Sequence, residues 1–569
     1  MSSGAILSLI SADGKQDALL TATRFLTTRL ANIVAVRKSR GMDPTPTLAD
    51  VERTHIVFTH AHYRPYAAVA LEYQKQTATS ATALGSEVTF NIPQFGEFFS
   101  DMAVHIKLNA ITHTGTGTTV NSPSFRYLDY VGERLMEKVT FSVNGNPIDE
   151  TDYNTYVFHR QFRLPVSKRT AWNRCVGQEE TNLATLSQAA GEQEGYQCKM
   201  IYSDGNQTRK SGTAQSHAVL EVMMPLLFWF NLDPRSAIPS VSIPHGQRFI
   251  KVTLAAISNV FVAQGRGTGA GALESTNQTA LTAPTLATCS LYINNLFMNP
   301  EIHEIYIKRI TFSLIRVYRR QTLTVNSATN SYQLSEVKWP VECMFVGFRP
   351  DVANYAWSST FLGTSNTWHR FSQGTLNTRH LSSLAAGLQT DNDGATYVAL
   401  TYPLTASATV TVPTDGTLTT NGGTFSGDGS LITTVTGADT ATPTFVRLLA
   451  AQVRAHTWSK TIDDLTIKAH GITLYNQFTS QFYNAYIPFT YGDAIVAPED
   501  IGAMMVTFCL YPGAFQPSGH INVSRAREFY LEYNSSYFTA SVTGKAYVEC
   551  VCINFLLIHS GNASVRFST

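Results

Sequence analysis

The segment Gln516-Pro-Ser-Gly-His-Ile-Asn-Val-Ser-Arg-Ala-Arg-Glu-Phe-Tyr530 is the most informative part of this 569-residue chain. Pro517 fixes φ, and Ser518-Gly519 is a common turn pair. From Ile521 onward, apolar and polar side chains alternate, as they do in a half-buried strand. The segment also holds residue types that are used in catalysis, namely Ser518, His520, Arg525 and Glu528. Its local pattern nevertheless predicts a turn that begins a strand, and nothing in that pattern indicates catalysis.

Strands and turns dominate the chain from about residue 50 onward. Residues 139–143 alternate cleanly and run into Asn144-Gly145, which is a strong signal for a β-hairpin. Residues 503–510 are apolar on both faces, which predicts a strand of an inner sheet. Further strands are predicted at residues 290–297, 311–317 and 465–469. Many short strands separated by Gly, Pro and Asn turns favour β-sandwiches or barrels.

Composition limits the classes of function. The chain has 42 Lys and Arg against 41 Asp and Glu, a net charge of +1, so no global basic field attracts nucleic acid. Charged residues make up 15% of the chain, against about 25% in an average soluble domain. We interpret this as a surface that is partly buried against other copies of the same chain. The length fits two large β-domains of about 200–250 residues each plus an extra segment.

No export or membrane segment is predicted. The first ten residues lack the basic region of a secretory signal, and no stretch of about 18 apolar residues occurs. Seven scattered cysteines, an odd number, indicate reduced thiols in a cytosolic protein. Cys550 and Cys552 share one face of a predicted strand. They are either two small apolar core residues, which is the favoured interpretation, or a metal or redox pair.

Residues 16–40 form the one convincing predicted helix. Apolar residues from Leu19 to Ile33 recur at helical spacing, and Gly41 and Pro44 stop the helix. Between Ala18 and Arg40 the helix has no acidic residue and five basic ones, Arg24, Arg29, Arg37, Lys38 and Arg40. Two interpretations remain open. The segment is a docked terminal helix with a solvated basic face, or a foot that contacts partner proteins or an acidic membrane surface.

Four long polar insertions interrupt the strands, at residues 112–123, 179–217, 265–287 and 401–444. The fourth contains 15 Thr and no Lys, Arg or Glu. It is either a disordered linker or a β-ribbon, and its alternating pieces favour the ribbon. Loops of this length in a compact domain are usually functional or disordered. If all four insertions rise from one end of the sandwiches, they build an outer crown.

Motifs for catalysis, cofactors and metals are weak or missing. The chain has no P-loop, no H-E-x-x-H and no G-x-S-x-G. His60 and His62 share a strand face without a second cluster at ligand spacing, so structural packing is favoured over a metal site. Residues 301–304 fit a polar turn better than an acid/base set. Residues 391–394 resemble the start of a calcium loop, but Tyr402 stands where that loop needs Glu. We therefore predict no catalytic residue, no metal ligand and no cofactor.

Residues 516–530 closely resemble the signature near the C-terminus of the major capsid proteins of nucleocytoplasmic large DNA viruses, above all the African swine fever virus (asfarvirus-like) type. The residues that carry this signature are Pro517, Ser518, Gly519, Asn522, Ser524 and Arg525. Similar blocks extend from end to end of the chain, for example at residues 60–66, 90–96, 238–244, 291–297, 312–317 and 566–569. The four insertions look shorter or differently composed than in that type.

The resemblance implies an all-β fold, a double (tandem) jelly roll of β-sandwiches with a short helical N-terminal base segment and long crown loops. Together with the sequence pattern, it divides the chain into a base segment (residues 1–45), a first jelly roll (46–285) and a second jelly roll (286–569). It further implies a structural protein and not an enzyme. That protein would be a homotrimeric, pseudo-hexameric capsomer that tiles an icosahedral outer capsid over an inner membrane.

The resemblance also implies partners and a location. The partners would be copies of the chain itself, neighbouring capsomers, minor capsid and penton proteins, the inner viral membrane surface and a folding chaperone, with no direct nucleic-acid contact. The location would be the virion capsid, after production and assembly in the host cytoplasm. The basic residues of the predicted helix would then face the capsomer base.

Two other classes of function remain open at this point. A glycan-binding module is indicated by the aromatic content and the Thr-rich insertion. A glycan-processing enzyme on tandem jelly rolls would need a pocket with convergent carboxylates. Within the signature, we expect Asn522 and Arg525 to fix the turn through hydrogen bonds to the backbone.

Overall fold

The computed structural model describes most of the chain between residues 69 and 567. The described residues are 69–79, 83–113, 124–178, 215–217, 219–243, 247–266, 273–274, 281–282, 284–298, 312–351, 368–379, 410–411, 419–420, 423–424, 453–491, 494–523, 528–559 and 562–567, together with Ala35, Lys38, Ser39 and Gly41.

Strands make up most of the described secondary structure. In chain order they are β1 (Val69–Thr77), β2 (Glu87–Asn91), β3 (Phe98–Leu108), β4 (Ile111–His113), β5 (Ser124–Tyr127), β6 (Met136–Val143), β7 (Asn146–Asp152), β8 (Gln215–His217), β9 (Leu220–Pro225), β10 (Ile238–Pro239), β11 (Arg248–Leu254), β12 (Phe261–Arg266), β13 (Leu273–Glu274), β14 (Leu281–Thr282), β15 (Leu286–Met298), β16 (Phe312–Val325), β17 (Thr329–Gln333), β18 (Pro340–Pro350), β19 (Gln373–Arg379), β20 (Val410–Thr411), β21 (Thr419–Thr420), β22 (Gly423–Thr424), β23 (Val453–Ser459), β24 (Asp464–Ala469), β25 (Ile472–Thr479), β26 (Ala503–Thr507), β27 (Ile521–Asn522), β28 (Phe529–Asn534), β29 (Gly544–His559) and β30 (Asn562–Val565).

The helices of the described residues are short. The α-helices are α1 (Val131–Leu135), α2 (Tyr153–Phe162), α3 (Arg169–Cys175), α4 (Trp229–Leu232) and α5 (Ile487–Thr490). Single 3-10 turns lie at Val166–Lys168, Pro234–Ser236, Ser240–Ser242 and Ile257–Asn259, and a π-helix at Phe482–Tyr486 leads directly into α5. Within the described residues, no helix has the length and apolar character needed to cross a membrane.

The main strands build two antiparallel sandwiches with the same topology. The first sandwich pairs β1-β15-β3-β9 in one sheet and β2-β11-β6-β7 in the other. The second pairs β16-β29-β18-β26 and β17-β28-β24-β25. If the eight main strands of each sandwich are numbered in chain order, both sandwiches read 1-8-3-6 and 2-7-4-5. This is a jelly-roll order occurring twice, so the predicted double jelly roll is confirmed.

The predicted strands and the hairpin are found where the sequence pattern put them. Asn144 and Gly145 take φ values of 52° and 79°, the left-handed pair that a two-residue turn between β6 and β7 requires. The predicted strands at 290–297, 311–317 and 465–469 lie in β15, β16 and β24. The apolar run from 503 forms β26, all of whose residues are buried.

Strand β15 pairs with strands of the first sandwich, on the far side of the predicted division between the two jelly rolls. The predicted division at residues 285/286 would make β15 the first strand of the second jelly roll. Instead β15 pairs with β1 along the full length of β1, with Val69 opposite Met298, and it pairs with β3 on its other edge. Since this ladder lies inside the first sandwich, we propose that the division falls between Met298 and Phe312. The predicted boundary near residue 45 lies outside the described residues.

The insertions of both sandwiches leave the fold at one end, which we call the crown end. Leu108 at the end of β3 lies opposite both Leu220, where β9 begins, and Leu286, where β15 begins. The short strands β4, β8 and β14, which flank the first three insertions, pair with one another. Between β18 and β19 of the second sandwich, Trp368 Nε1 donates to the carbonyl oxygen of Asp129 in the first sandwich at 2.8 Å.

The described parts of the insertions agree with the predicted crown. In the fourth, β20, β21 and β22 form a small antiparallel ribbon, as the alternating pattern predicted. The rest of the four insertions lies outside the described residues. We call the opposite end, where β1 and β16 begin, the base end.

Little of the predicted N-terminal helix is described. Ala35, Lys38 and Ser39 are helical and exposed. Gly41 has φ 65°, and its N–H donates to the Lys38 carbonyl oxygen at 3.3 Å, which is how a helix commonly ends. Arg24, Arg29, Arg37 and Arg40 lie outside the described residues.

Candidate functional site

The signature turn lies at the base end of the second sandwich, between β26 and β28. Ser518 Oγ accepts a hydrogen bond from the Tyr511 N–H at 2.7 Å. Gly519 has φ 138°, a conformation that L side chains rarely adopt. Strand β27 then pairs with Pro340 and Val341 at the start of β18. This is the turn and strand start that the local pattern predicted; Ser524 and Arg525 of the signature lie outside the described residues.

Arg316 of β16 holds the loop that precedes the signature turn. Its guanidinium binds the carboxylate of Glu342 in β18 and donates to the carbonyl oxygens of Ala514 at 2.7 Å and Phe515 at 3.2 Å. The Glu342 side chain is 4% exposed, so the ion pair is largely shielded from water. Because the buried Glu342 carboxylate fixes the Arg316 guanidinium in place, the loop that this guanidinium binds has little conformational freedom.

The sequence reasoning missed Arg316. It assigned the bracing of this turn to Asn522 and Arg525, and that assignment stays a prediction. The Asn522 backbone pairs with Pro340 of β18, and its carbonyl oxygen lies 3.2 Å from His470 Nε2. Arg316 and Ala514 are 198 residues apart in the chain, so no local pattern could connect them.

The described reactive side chains of the signature segment, Ser518, His520 and Glu528, serve structure or face solvent. Ser518 Oγ is occupied by the Tyr511 N–H, and His520 and Glu528 are exposed. Among the described residues, no group of three or more His, Cys, Asp or Glu side chains is placed to hold a metal ion. The other motifs considered for metals or acid/base chemistry, at residues 60–62, 301–304 and 391–394, lie outside the described residues.

Cys550 and Cys552 are buried core residues of β29. Both are fully shielded from solvent, and burial raises the pKa of each thiol well above its ordinary value. A thiol held in its neutral form is a poor nucleophile and a poor metal ligand. The pair therefore fits the favoured interpretation of two small apolar core residues.

An apolar seam joins the two sandwiches, and helix α2 of the first sandwich forms it. The helix begins with a capping box between Asp152 and Thr155. Its Phe158 ring stacks on Phe371 at 4.8 Å, and its Phe162 ring stacks on Phe345 of β18 at 4.9 Å. The helix thus covers the outward face of the 1-8-3-6 sheet of the second sandwich, which explains why every residue of β18 is buried.

Charged and polar groups complete the seam. Thr155 Oγ1 donates to Glu549 Oε2 at 2.6 Å, and the Tyr318 N–H donates to Asp149 Oδ1 at 3.1 Å. Arg320 forms ion pairs with Glu150 and Asp152 of β7. Because these contacts join residues of the two halves, the sandwiches are fixed to each other by more than apolar packing.

Two carboxyl groups of the seam have strongly raised pKa values. Burial raises the pKa of Asp149 from 3.8 to about 7, against the opposing effect of its backbone hydrogen bonds. Burial, with a smaller contribution from the nearby charge of Asp152, raises the pKa of Glu549 from 4.5 to about 8. At neutral pH the Glu549 carboxyl is therefore mostly protonated.

Exposed apolar side chains are concentrated on particular strands and on α5. On β1, Val69, Leu71 and Tyr73 are 47%, 57% and 62% exposed. On β25 and α5, Ile472 and Phe489 are 65% and 86% exposed. Exposed apolar side chains of this kind are open to contact with other molecules, and among the described strands β1 and β25 each end a sheet.

Comparison with known proteins assigns the chain to a family. Residues 57–299 match the family described as major capsid protein N-terminus, and residues 297–563 match the large eukaryotic DNA virus major capsid protein family. The major capsid protein of African swine fever virus (isolate Warthog/Namibia/Wart80/1980) is 32% identical over 697 aligned positions that cover 100% of both chains. The chain belongs to the major capsid protein family of large eukaryotic DNA viruses.

Solved structures agree with this assignment. The Faustovirus major capsid protein superimposes with a TM-score of 0.64 at 31% identity, covering 96% of this chain and 100% of that one. A PBCV-1 VP54 structure gives a TM-score of 0.53 at 17% identity, covering 89% of this chain and 98% of that one, and supports the fold alone. The two family matches meet at residues 297–299, which agrees with β15 belonging to the first jelly roll.

The capsid protein is therefore a structural component of the virion capsid and not an enzyme, as the resemblance implied. Relatives named major capsid or hexon protein share this role, so the glycan-processing alternative is dropped. A capsid protein associates with copies of itself and with neighbouring capsomers. In that context the signature turn and the seam shape the building block, and the exposed apolar strands are candidate contact surfaces.

Proposed function

We propose that this capsid protein forms a homotrimeric, pseudo-hexameric capsomer that tiles an icosahedral outer capsid over an inner membrane. The observation that carries the proposal is the repeated jelly-roll order within one chain. Three copies of two similar sandwiches supply six similar units, and heterologous contacts between copies close into a ring when the rotation allows it.

The segments that follow the fifth strand of each sandwich support this arrangement. In the first sandwich that segment is α2, which packs on the outward face of the second sandwich. In the second sandwich the corresponding segment is the π-helix with α5, which follows β25. It leaves Tyr486 and Phe489 54% and 86% exposed. In a pseudo-sixfold capsomer the side chains of Tyr486 and Phe489 would pack on the next copy, as α2 packs on the second sandwich within one chain.

The receiving surface on the next copy would be the outward face of β1 and β3. This face is the counterpart of the face of β16 and β18 that α2 covers. It carries the exposed side chains of Leu71 and Tyr73, and Tyr73 donates to Asp101 Oδ2 of β3 at 2.6 Å. An apolar face with a polar margin is typical of a protein contact surface.

Further partners follow from the two ends of the capsomer. The crown end would face outward. The base end, with the N-terminal base segment and its basic residues, would face minor capsid and penton proteins and the inner viral membrane surface. Lys38, which is exposed, belongs to that basic set. We further propose that the chain is produced and assembled in the host cytoplasm, and that a folding chaperone is one of its partners.

Native mass spectrometry tests the capsomer. The purified chain should give a mass three times 62.5 kDa, and a stable monomer at micromolar concentration would overturn the proposal. Phe489→Asp and Leu71→Asp should each weaken trimer formation by at least about tenfold, since each buries a charge in the contact. Thr329→Asp, at an exposed position of β17 outside the proposed contact, is the matched control and should keep the trimer.

A further inference from the structure

A groove of about 750 Å³ opens at the base end of the seam. One wall comes from the first sandwich, with Arg163 and Leu164 after α2 and with α4. The other comes from the second sandwich, with the start of β16 and with Phe515 to Pro517 beside the signature turn. The groove therefore lies where the two halves meet, far from the crown end.

The groove carries an excess of positive charge. Its cationic residues are Arg163, Lys168, Arg235 and Arg316, and Asp233 is its carboxylate. Arg235 is paired with Asp233 at 2.6 Å, and Arg316 is paired with Glu342. Among the described residues, Arg163 has no carboxylate at ion-pair distance; its Nη1 donates to the Tyr318 hydroxyl at 2.8 Å. A shielded guanidinium without a counter-ion favours an anionic ligand.

Buried polar atoms in the groove also lack partners. Within the described part of the chain, Arg163 Nε, His159 Nδ1 and Asn231 Oδ1 are shielded from solvent and make no hydrogen bond. Burial, together with the charge of Arg163, lowers the pKa of His159 to about 3, so this imidazole is neutral. These unsatisfied donors and acceptors lie along the wall of the groove that the first sandwich provides, and the alternating donors and acceptors of a peptide can pair with such groups.

The mouth of the groove is apolar. Leu232, Leu314 and Phe515 are 43%, 38% and 43% exposed there. The Arg235 guanidinium lies 4.0 Å from the centre of the Phe515 ring and so links the two walls. A nucleic acid would need a longer run of cations than this groove provides. An extended peptide with both acidic and apolar side chains complements the groove.

We propose that this groove binds an extended acidic peptide segment of another protein, with a carboxylate on Arg163 and Lys168 and an apolar side chain on Leu232, Leu314 and Phe515. The partner would approach the capsomer from its base, and to that extent the inference rests on the proposed capsomer. The site needs no reaction and no cofactor, because it only holds the segment in place.

Fluorescence anisotropy with a short fluorescein-labelled peptide of alternating Asp and Leu tests the groove on the full chain. This peptide should bind, while peptides of alternating Asn and Leu or of alternating Asp and Ser should bind at least about tenfold more weakly. Arg163→Gln and Lys168→Gln should each weaken binding of the Asp-Leu peptide about tenfold. Lys545→Gln, at an exposed lysine of the crown end, is the matched control and should bind as the parent does.

Folding and assembly are separated from peptide binding by two measurements on the same samples. Because Lys168 is exposed, Lys168→Gln should leave the melting temperature unchanged, so it tests the groove even if Arg163→Gln folds poorly. A parent chain that does not bind the Asp-Leu peptide, or a Lys168→Gln variant that binds it unchanged, would overturn the inference. Loss of trimers in Lys168→Gln would show that the groove contacts a second copy of the chain, and this result would also overturn the inference. If the parent chain forms trimers but does not bind the peptide, only the proposed peptide site is contradicted. If it stays monomeric but binds the peptide, only the proposed trimeric capsomer is contradicted.

Discussion

The buried carboxyl group of Glu549 makes the stability of the seam depend on pH. Its pKa is raised from 4.5 to about 8 in the folded chain, chiefly by burial. Between these values the folded chain keeps a proton that the unfolded chain has lost. The contribution of Glu549 to stability is therefore fully present below about pH 4.5 and is lost as pH rises through about 8. Replacing Glu549 with Gln removes this dependence, because an amide does not ionise.

The size of the effect follows from the pKa difference. Each pKa unit corresponds to 1.36 kcal/mol, so ionising Glu549 in the folded state costs on the order of 4–5 kcal/mol. Most of that cost arises between about pH 5 and pH 8.5. With an unfolding entropy of roughly 2.1 cal/mol/K per residue, this cost corresponds to about 3 °C. The melting temperature of Glu549→Gln minus that of the parent should therefore increase by about 3 °C from about pH 5 to about pH 8.5.

Differential scanning fluorimetry at about pH 5 and about pH 8.5 measures this gap. Both chains are measured at each pH, so that other titrating groups cancel in the comparison. Glu336→Gln replaces an exposed carboxylate and is the control. The difference between its melting temperature and that of the parent should be the same at both pH values. A gap between Glu549→Gln and the parent that stays constant, or that shrinks as pH rises, would show that Glu549 is charged in the folded seam and would refute the reasoning.

Three further predictions concern the turn, the sheet under α2 and the base segment. Arg316→Ala leaves the Glu342 carboxylate unpaired, so unfolding in urea should show a loss of about 3 kcal/mol, and Arg316→Lys should restore part of it. Gly347→Ala would place a methyl group 2.3 Å from the Phe371 ring, so it should cost about 1–3 kcal/mol in the same assay. Deleting residues 1–40 should keep the trimer mass but reduce sedimentation with anionic liposomes, because the basic residues are removed; loss of the trimer would contradict this division of roles.

The sequence was sufficient for features that depend on neighbouring residues. The hairpin at Asn144-Gly145 was predictable because only a few residue types adopt two successive left-handed conformations. Strand β26 was predictable because a short apolar run of strand length fits a strand covered on both faces. The turn at Ser518-Gly519 belongs to the same class.

Features that depend on distant residues were not predictable in this way. The proposed end of the first jelly roll after β15 rests on the pairing of β15 with β1 and β3, which lie about 200 residues earlier in the chain. The brace from Arg316 to the signature loop depends on how β16 and β18 lie side by side. The raised pKa values of Asp149 and Glu549 depend on how deeply the seam buries their carboxyl groups. The sequence around an acidic residue does not show whether distant parts of the chain will bury it.

Helix α2 explains why the two jelly rolls act as one building block despite their equal topology. Without it, the face of β18 that carries Phe345 and Gly347 would be exposed in the second sandwich. Phe158 and Phe162 are each at most 1% exposed, and burying such a ring contributes up to about 3 kcal/mol. The second sandwich therefore depends on a helix that the first one supplies. The topology is the same in both sandwiches, but among the described residues only the second is covered by a helix that the other sandwich supplies. In the proposed ring of six sandwiches, contacts within a chain would therefore alternate with contacts between copies.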